Sequence, residues 1–251
     1  MLALLSPAKT LDYERPLPEH VAATRPRLAK AAAALARAAA GLEAADLERL
    51  MGISESLATL NRDRFRGFAR APQRPALYAF AGDVYTGLEA HSLKEPAVRF
   101  AQDHLRILSG LYGLLRPLDA MRPYRLEMGT RWAPDAPSLY QHWDDRVASL
   151  LGRDLKAEGS GEIVNLASKE YWQVIAQAPP KARIVTVEFM EPGPKGPRIV
   201  SFHAKKARGM MARFLCEHRL ARADDLKAFD SDGYRFAPDQ SDEDRFRFLR
   251  G

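Results

Sequence analysis

Phe202-His203-Ala204-Lys205-Lys206-Ala207-Arg208-Gly209-Met210-Met211-Ala212-Arg213-Phe214 reads as a helix with two chemically opposed faces. At about 100° per residue, Arg208, Lys205, Arg213 and Lys206 fall within one arc of roughly 160°, while Met210, Phe214, Ala207, Met211 and Leu215 fill the opposite arc. One side enters a core. The other is either an ordinary solvated face or a surface for a polyanion, because each cation that neutralises a phosphate releases condensed counterions. Just upstream, Glu191-Pro192-Gly193-Pro194-Lys195-Gly196-Pro197 has the composition of a connecting loop. It separates two strand candidates, Arg183 to Phe189 and Arg198 to His203, which we expect to form an antiparallel pair. Further strands are expected at Met1 to Leu5, ended by Pro7, and at Ala76 to Ala81, Arg106 to Leu108 and Glu162 to Leu166. The Ala-rich run from Thr24 to Leu42 predicts a helix with Gly41 near its C-terminal end, and a second helix should start near Asp46. Strands interspersed with helices make the chain α/β in the mixed sense. The tail, acidic from Asp239 to Asp244 and basic at Arg245, Arg247 and Arg250, predicts a surface segment with local charge pairing.

At 251 residues, 46% of them hydrophobic and 28% charged, the chain can bury a full core without disulfide or metal support. It has no linker, repeat or low-complexity stretch, so a single domain spanning 1–251 is expected. The formal net charge of +6 leans toward polyanionic partners. Cys216 is the sole cysteine, which excludes an intramolecular disulfide and a cysteine-based metal cluster within one chain and fits a reducing compartment. Met1 to Leu5 is too short for a signal-peptide core, and the run Ala31 to Ala40 is broken by Arg37 and too short for a membrane span. The expectation is a cytoplasmic protein with no cofactor. The six histidines lack paired metal-ligand spacing, and His142-Trp143-Asp144-Asp145 reads as a cap or surface charge pair sooner than a cation site, so no metal is expected. Cys216 projects near the cationic arc, where a redox-sensitive thiol and a small buried hydrophobe are the two alternatives.

Asp46 to Ala58 suggests two helices joined by a tight turn. Gly52 suits a positive φ, Ile53 anchors the turn, and Ser54 caps the second helix. Such a turn is either a plain helix–helix connection or a phosphate site made of backbone amides, with Arg62, Arg64 and Arg66 just downstream. Leu108 to Asp119 contains Gly110 and Gly113 but lacks the Gly-Lys-Ser/Thr ending of a phosphate loop, so these glycines read as sites of close packing. Arg116, Arg122 and Arg125 are planar cations suited to phosphate or carboxylate, and Tyr112 and Tyr124 either pack or stack on a base. Asn165 to Tyr171 follows an apolar strand and looks like a strand-end site in which Asn165 and Ser168 bond a ligand and Lys169 meets a phosphate, or in which Ser168 merely caps a helix. With Ser6-Pro7-Ala8-Lys9 these groups are numerous enough for catalysis, Ser6 and Lys9 being the candidate nucleophile and base.

Several long stretches in fixed order resemble the YaaA family, also called DUF328 or UPF0246 and associated by name with peroxide stress. They are Leu5 to Tyr13, Gly82 to Leu88, Leu108 to Pro117, Pro123 to Gly129, Asn165 to Tyr171 and Lys205 to Gly209, so the resemblance is nearly full length. It implies a mixed sheet core wrapped by helices, described for the family as the cantaloupe fold. It also implies binding of double-stranded or distorted DNA through a positive cleft and a helix-hairpin-helix element, with links to repair proteins and recombination. The hairpin best fits Leu50 to Leu57, although Ser54 stands where glycine is common. The expected DNA or phosphate contacts are Lys9, Gly52, Ile53, Ser54, Arg62, Arg64, Arg116, Arg125, Lys169, Lys205, Lys206 and Arg208. The alternative is an enzyme acting on nucleic acid, a nucleotide or another phosphorylated substrate, with Ser6, Lys9, Glu127, Asn165 and Lys169 as catalytic candidates and Arg208 beside them.

Overall fold

The computed structural model describes residues 1–194 and 196–251. Strand β1 (Leu2–Leu5) is four consecutive buried apolar residues, the pattern of a parallel strand covered on both faces. After the short β2 (Thr10–Leu11), the Ala-rich run forms α1 (Ala29–Ala39). This helix starts later than Thr24 because Pro26 biases Arg25 away from helical dihedrals and the Thr24 amide donates instead to the Leu118 carbonyl, 2.7 Å away. Helices α2 (Ala44–Met51) and α3 (Glu55–Arg66) pack on one another, and α1 packs on α3.

Beyond β3 (Arg74–Pro75), residues Ala76–Ala79 are the helical turn α4, and only Phe80–Ala81 are extended, as β4. The strand expected from Ala76 to Ala81 is therefore corrected: its amides at Ala76 and Leu77 donate to the carbonyls of Asp119 and Pro117, which draws the chain into a turn. A short run buried on every side carries no alternation to tell helix from strand. The chain continues through α5 (Asp83–Leu88), α6 (Glu95–His104), β5 (Leu105–Ser109), β6 (Gly113–Leu115) and β7 (Ala120–Met121). Helices α7 (Leu139–Trp143) and α8 (Arg146–Glu158) lead to β8 (Glu162–Asn165), α9 (Lys169–Ala176) and β9 (Arg183–Met190). The chain ends with α10 (Ser201–His218), β10 (Tyr234–Phe236) and β11 (Arg245–Arg250).

Seven strands form the central sheet in the order β10-β11-β9-β8-β1-β5-β6. The five inner ones are parallel, and each edge strand is antiparallel to its neighbour. The antiparallel pairing expected between Arg183–Phe189 and Arg198–His203 is reduced to one bridge, Glu191 with Arg198. Helix α10 begins at Ser201, and β9 pairs instead with β8 and β11. The intervening loop reading covers Lys195, which lies outside the described residues. The basic tail is likewise not a surface segment but strand β11, with Phe246 and Phe248 fully buried. Its alternation of Arg and Phe is the period of a half-buried strand. The charge pairing is present, since Arg247 donates to Glu188 at 2.9 Å and Arg250 reaches Asp232 at 2.8 Å.

Between α1 and the sheet lies a charged cluster that holds the two together. Asp154 of α8 accepts from Arg27 just ahead of α1 and from Arg106 of β5, the latter at 2.5 Å, with Arg106 buried and Asp154 half-buried. Burial pushes the Asp154 carboxyl up, but the hydrogen bonds from the two guanidinium groups more than reverse this and hold it below the ordinary carboxylate range. Tyr112 and Tyr124 are buried side by side, with the Tyr124 hydroxyl 2.6 Å from Ser109 Oγ, so they pack and do not present faces to a base.

Candidate functional site

Strand β1 is followed in the sheet by β5 on one side, and the chain then returns to lay β8 on the other side. Loops leaving the carboxyl ends of β1 and β8 must therefore diverge, and in open α/β sheets ligands bind in the crevice this creates. Ser6 leaves β1 and Ser168 follows β8, and the Ser168 amide donates to Ser6 Oγ at 2.9 Å. Tyr85 donates to the Ser6 carbonyl at 3.2 Å from the far wall. A cavity of about 400 Å³ opens above these strand ends, and its charged lining is Lys9, Lys205 and Arg208 with Asp83, Glu127 and Glu170.

Close backbone approaches set its walls. A Cβ on Gly110, at the end of β5, would lie 2.2 Å from the Leu126 carbonyl oxygen, so the absence of a side chain lets the Leu126–Glu127 segment lie against the sheet and carry Glu127 to the cavity. A Cβ on Gly209 would lie 1.8 Å from the Val84 carbonyl oxygen, and one on Gly87 would lie 2.0 Å from that of Lys206. Helices α5 and α10 thus cross backbone to backbone, which brings Lys205 and Arg208 to the cavity rim. Close packing, expected from the sequence at Gly110 and Gly113, is present at both, since a Cβ on Gly113 would lie 3.0 Å from Leu28 Cδ1.

The same crossing corrects the picture of α10 as one cationic face. On a 100° wheel, Gly209, Ala212 and Cys216 project about 40°, −20° and 20° from Lys205, inside the cationic arc and between Arg208 on one side and Lys206 with Arg213 on the other. All three are buried. The cations are thereby divided: Lys205 and Arg208 reach the cavity, Lys206 lies 3.5 Å from Asp232, and Arg213 bonds Glu217 at 2.7 Å and Ser92 at 2.7 Å. Met210 and Phe214, expected in the core, are only half-buried. Three small residues interrupting a polar arc are the signal in the sequence for a helix seam. Cys216 belongs to that seam and is fully buried, with its thiol pushed up by burial, so it has none of the exposure or thiolate character of a redox sensor.

Of the catalytic candidates, Ser6, Lys9 and Glu127 share the cavity with Arg208. Lys9 lies 3.4 Å from Glu127 Oε1, which also accepts from Arg125 at 3.0 Å, and Ser6 Oγ accepts from the Ser168 amide. No Ser6–Lys9 hydrogen bond is formed among the described residues. Asn165 uses its Oδ1 on the Ala167 amide at 3.0 Å, Ser168 caps α9 through the Tyr171 amide, and Lys169 is exposed on the first turn of α9 without lining the cavity. Lys205 lies 3.7 Å from Asp83. Two polar atoms stand out: Glu127 Oε2 and Arg208 Nε are buried with no hydrogen-bond partner.

The remaining expected contacts lie elsewhere. Gly52 ends α2 in the left-handed region at φ 58°, Ile53 is buried, and Ser54 caps α3 by accepting from the Leu57 amide. The first-turn amides of Glu55 and Ser56 have no acceptor within the helix. Arg62 donates to Asp63 at 2.9 Å, and Arg64 is half-buried, its pKa lowered by desolvation. Arg116 is held internally by the fully buried Asp119 at 2.9 Å.

Sequence reasoning missed a groove at the C-terminal side of α3, between α1 and the segment Phe68–Gln73. Arg25, Lys30 and Arg122 line it, and no Asp or Glu does. Arg122 is fixed there by the carbonyls of Ala69 and Ala71 at 3.3 and 3.2 Å and lies over the Phe68 ring. A signal was available: no acidic residue occurs between Glu19 and Glu43, while Arg25, Arg27, Lys30 and Arg37 do.

Among the described residues, no group of three His, Cys, Asp or Glu side chains is placed to hold a metal ion, and His142 is bonded to Asp135 at 2.5 Å. No described helix is long and apolar enough to cross a membrane. The chain matches the family described as "Peroxide stress protein YaaA" over residues 1–240. It is 59% identical to a UPF0246 protein of Rhizorhabdus wittichii, with 100% of this chain and 99% of the relative aligned. It is 51% identical to one of Jannaschia, covering 100% and 97%, and 47% identical to one of Aliivibrio fischeri, covering 100% and 98%. With its mixed sheet, its glycine-seamed cavity and a match of this extent, the chain belongs to the YaaA family of peroxide stress proteins.

Proposed function

We propose that this protein binds duplex DNA, intact or distorted, with little reading of its sequence, and that this is its part in the peroxide stress response and its link to DNA repair. The observation that carries the reading is the groove beside α1: Arg25, Lys30 and Arg122 face it together, and no carboxylate lines it. A surface cation already beside an acid has much of its field cancelled, whereas an unpaired group of cations retains its attraction for phosphates. The α2–α3 turn belongs to the same packed helices, and the exposed residues Glu55 and Ser56, whose amides have no acceptor within the helix, add a second phosphate contact of the kind a helix start offers. Helix α3, at 12 residues, is about 18 Å long, so the turn and the groove sit at opposite ends of one rigid rod. Arg62 and Arg64 lie along that rod. Contacts of this sort grip the backbone and leave the bases unread.

The test is duplex binding by fluorescence anisotropy across a salt series, using two unrelated sequences. Wild-type affinity should fall steeply with salt and be equal for both. Combining Arg25→Ala with Lys30→Ala should weaken both duplexes alike and flatten the slope of log K against log salt by about 2, close to one unit per lost phosphate contact. Wild-type protein that leaves both duplexes free at about 50 mM salt ends the reading.

A further inference from the structure

We infer that the cavity above the ends of β1 and β8 is a separate binding site for a small phosphate monoester whose body carries a hydrogen-bond donor, the class that includes nucleoside and sugar phosphates. Arg208 is the first reason. Among the described residues its guanidinium makes no hydrogen bond and no ion pair, its Nε is buried, and burial lowers its pKa, opposed only in part by the more distant carboxylate of Glu188, which is itself bonded to Arg247 at 2.9 Å. A half-buried guanidinium whose Nε is shut off from water normally has an anion beside it, because losing water without a close counter-charge is unfavourable. The missing anion belongs in the cavity, which Arg208 lines.

Lys9 and Lys205 supply the reason for phosphate. Both reach the same cavity and stay exposed, and their distances to Glu127 and Asp83, 3.4 and 3.7 Å, are longer than a strong charge-assisted hydrogen bond. Each is free to turn toward a ligand oxygen. A planar fork plus two mobile ammonium groups suits a phosphate, with three terminal oxygens, better than a carboxylate with two. Glu127 supplies the reason for a donor on the body: Oε1 is satisfied by Lys9 and Arg125, but Oε2 is buried without a partner and awaits an N–H or O–H. These two orphaned groups, one cationic and one anionic, come from segments brought together only by the fold, and both line this cavity. Its volume of about 400 Å³ is within the ordinary range for small-molecule sites.

The inference goes beyond DNA binding and fails independently of it. The probes are adenosine 5′-monophosphate, glucose 6-phosphate, inorganic phosphate and citrate, read by thermal shift and calorimetry on the full chain. At least one monoester should bind saturably and more tightly than inorganic phosphate, and citrate should bind more weakly than either. Arg208→Met should raise the melting temperature of the unliganded protein, because an uncompensated charge is removed, and should abolish the ligand-induced shift. Lys205→Ala should weaken monoester binding about tenfold, as expected for one charge-assisted contact. Arg208→Met should leave duplex affinity unchanged, and the Arg25→Ala, Lys30→Ala protein should keep its monoester shift. The site is overturned if neither monoester binds wild-type protein, if citrate binds best, or if Arg208→Met lowers the melting temperature, which would give Arg208 a structural partner.

Discussion

The switch-point cavity and the groove beside α1 both gather cations, yet they do so by opposite means. In the cavity, glycines at positions 87, 110 and 209 let backbones touch, and the charged side chains brought together include carboxylates beside Lys9 and Lys205. In the groove, the cations come largely from one acid-free stretch and face solvent. A mixed cluster with orphaned atoms selects a small ligand that satisfies both signs. A one-sign surface selects a polyanion by field alone and discriminates little. Net charge does not separate the two cases; the pairing does.

The comparison can be broken from the groove side first. Asp154→Asn leaves Arg27 and the buried Arg106 without their shared anion, and breaking this partly buried cluster should cost about 3 kcal/mol in denaturant unfolding, the lower end for a buried pair. The loss should depend on pH. The Asp154 carboxyl titrates lower in the folded protein than its unfolded value of about 3.9, so its contribution is complete above that value and disappears as pH falls through the folded pKa. The gap between variant and wild type should therefore begin to narrow below about pH 4 and close only once the folded carboxyl is itself protonated, and a gap that does not narrow at all on acidification below about pH 4 would deny Asp154 this role.

Gly209→Ala tests the cavity side. Its Cβ would meet the Val84 carbonyl oxygen, a backbone atom that cannot swing away, so α5 must shift from α10. The expected cost is about 3 kcal/mol, at the upper end for overpacking, with loss of the phosphate-induced thermal shift and retention of duplex binding by the fraction that folds. A neutral outcome would show that the helices have room to part. Ser54→Ala is milder: removing the cap of α3 should cost about 1 kcal/mol. Smallest of all should be the reaction of native protein with a thiol reagent. Cys216, buried in the seam, should label only at the rate of unfolding, and rapid labelling of the native state would mean that α10 separates from its neighbours.

Local chemistry was legible in the sequence where neighbours along the chain decide the outcome. The buried run of β1, the left-handed Gly52, the Ser54 cap and the helical character of Phe202 to Phe214 all follow from adjacent residues, and the structure contains each of them. Ala76 to Ala81 reads as a strand yet folds mostly as a turn, because a short, almost wholly buried segment offers no alternation and its amides are claimed by carbonyls some 40 residues away. The Arg245 to Arg250 strand is legible in its alternation of Arg and Phe, though the weight of its charges points to a surface segment. In the candidate sites, Ser6, Lys9, Glu127 and Arg208, all singled out by the sequence, meet in space, whereas Asn165 accepts from the Ala167 amide and Lys169 stays exposed outside the cavity.

The amino-acid sequence by itself determined the family, the α/β class, the caps and turns, and the supply of cations, because these depend on residue identity and short spacing. Tertiary structure alone decided the strand order that opens a crevice between β1 and β8, the division of the α10 cations by α5, and which charges keep a partner. The reason is range. Arg208 is orphaned, and Arg116 is not, through the carboxylates that folding does or does not bring within a few ångströms of each, and no local propensity encodes that distance.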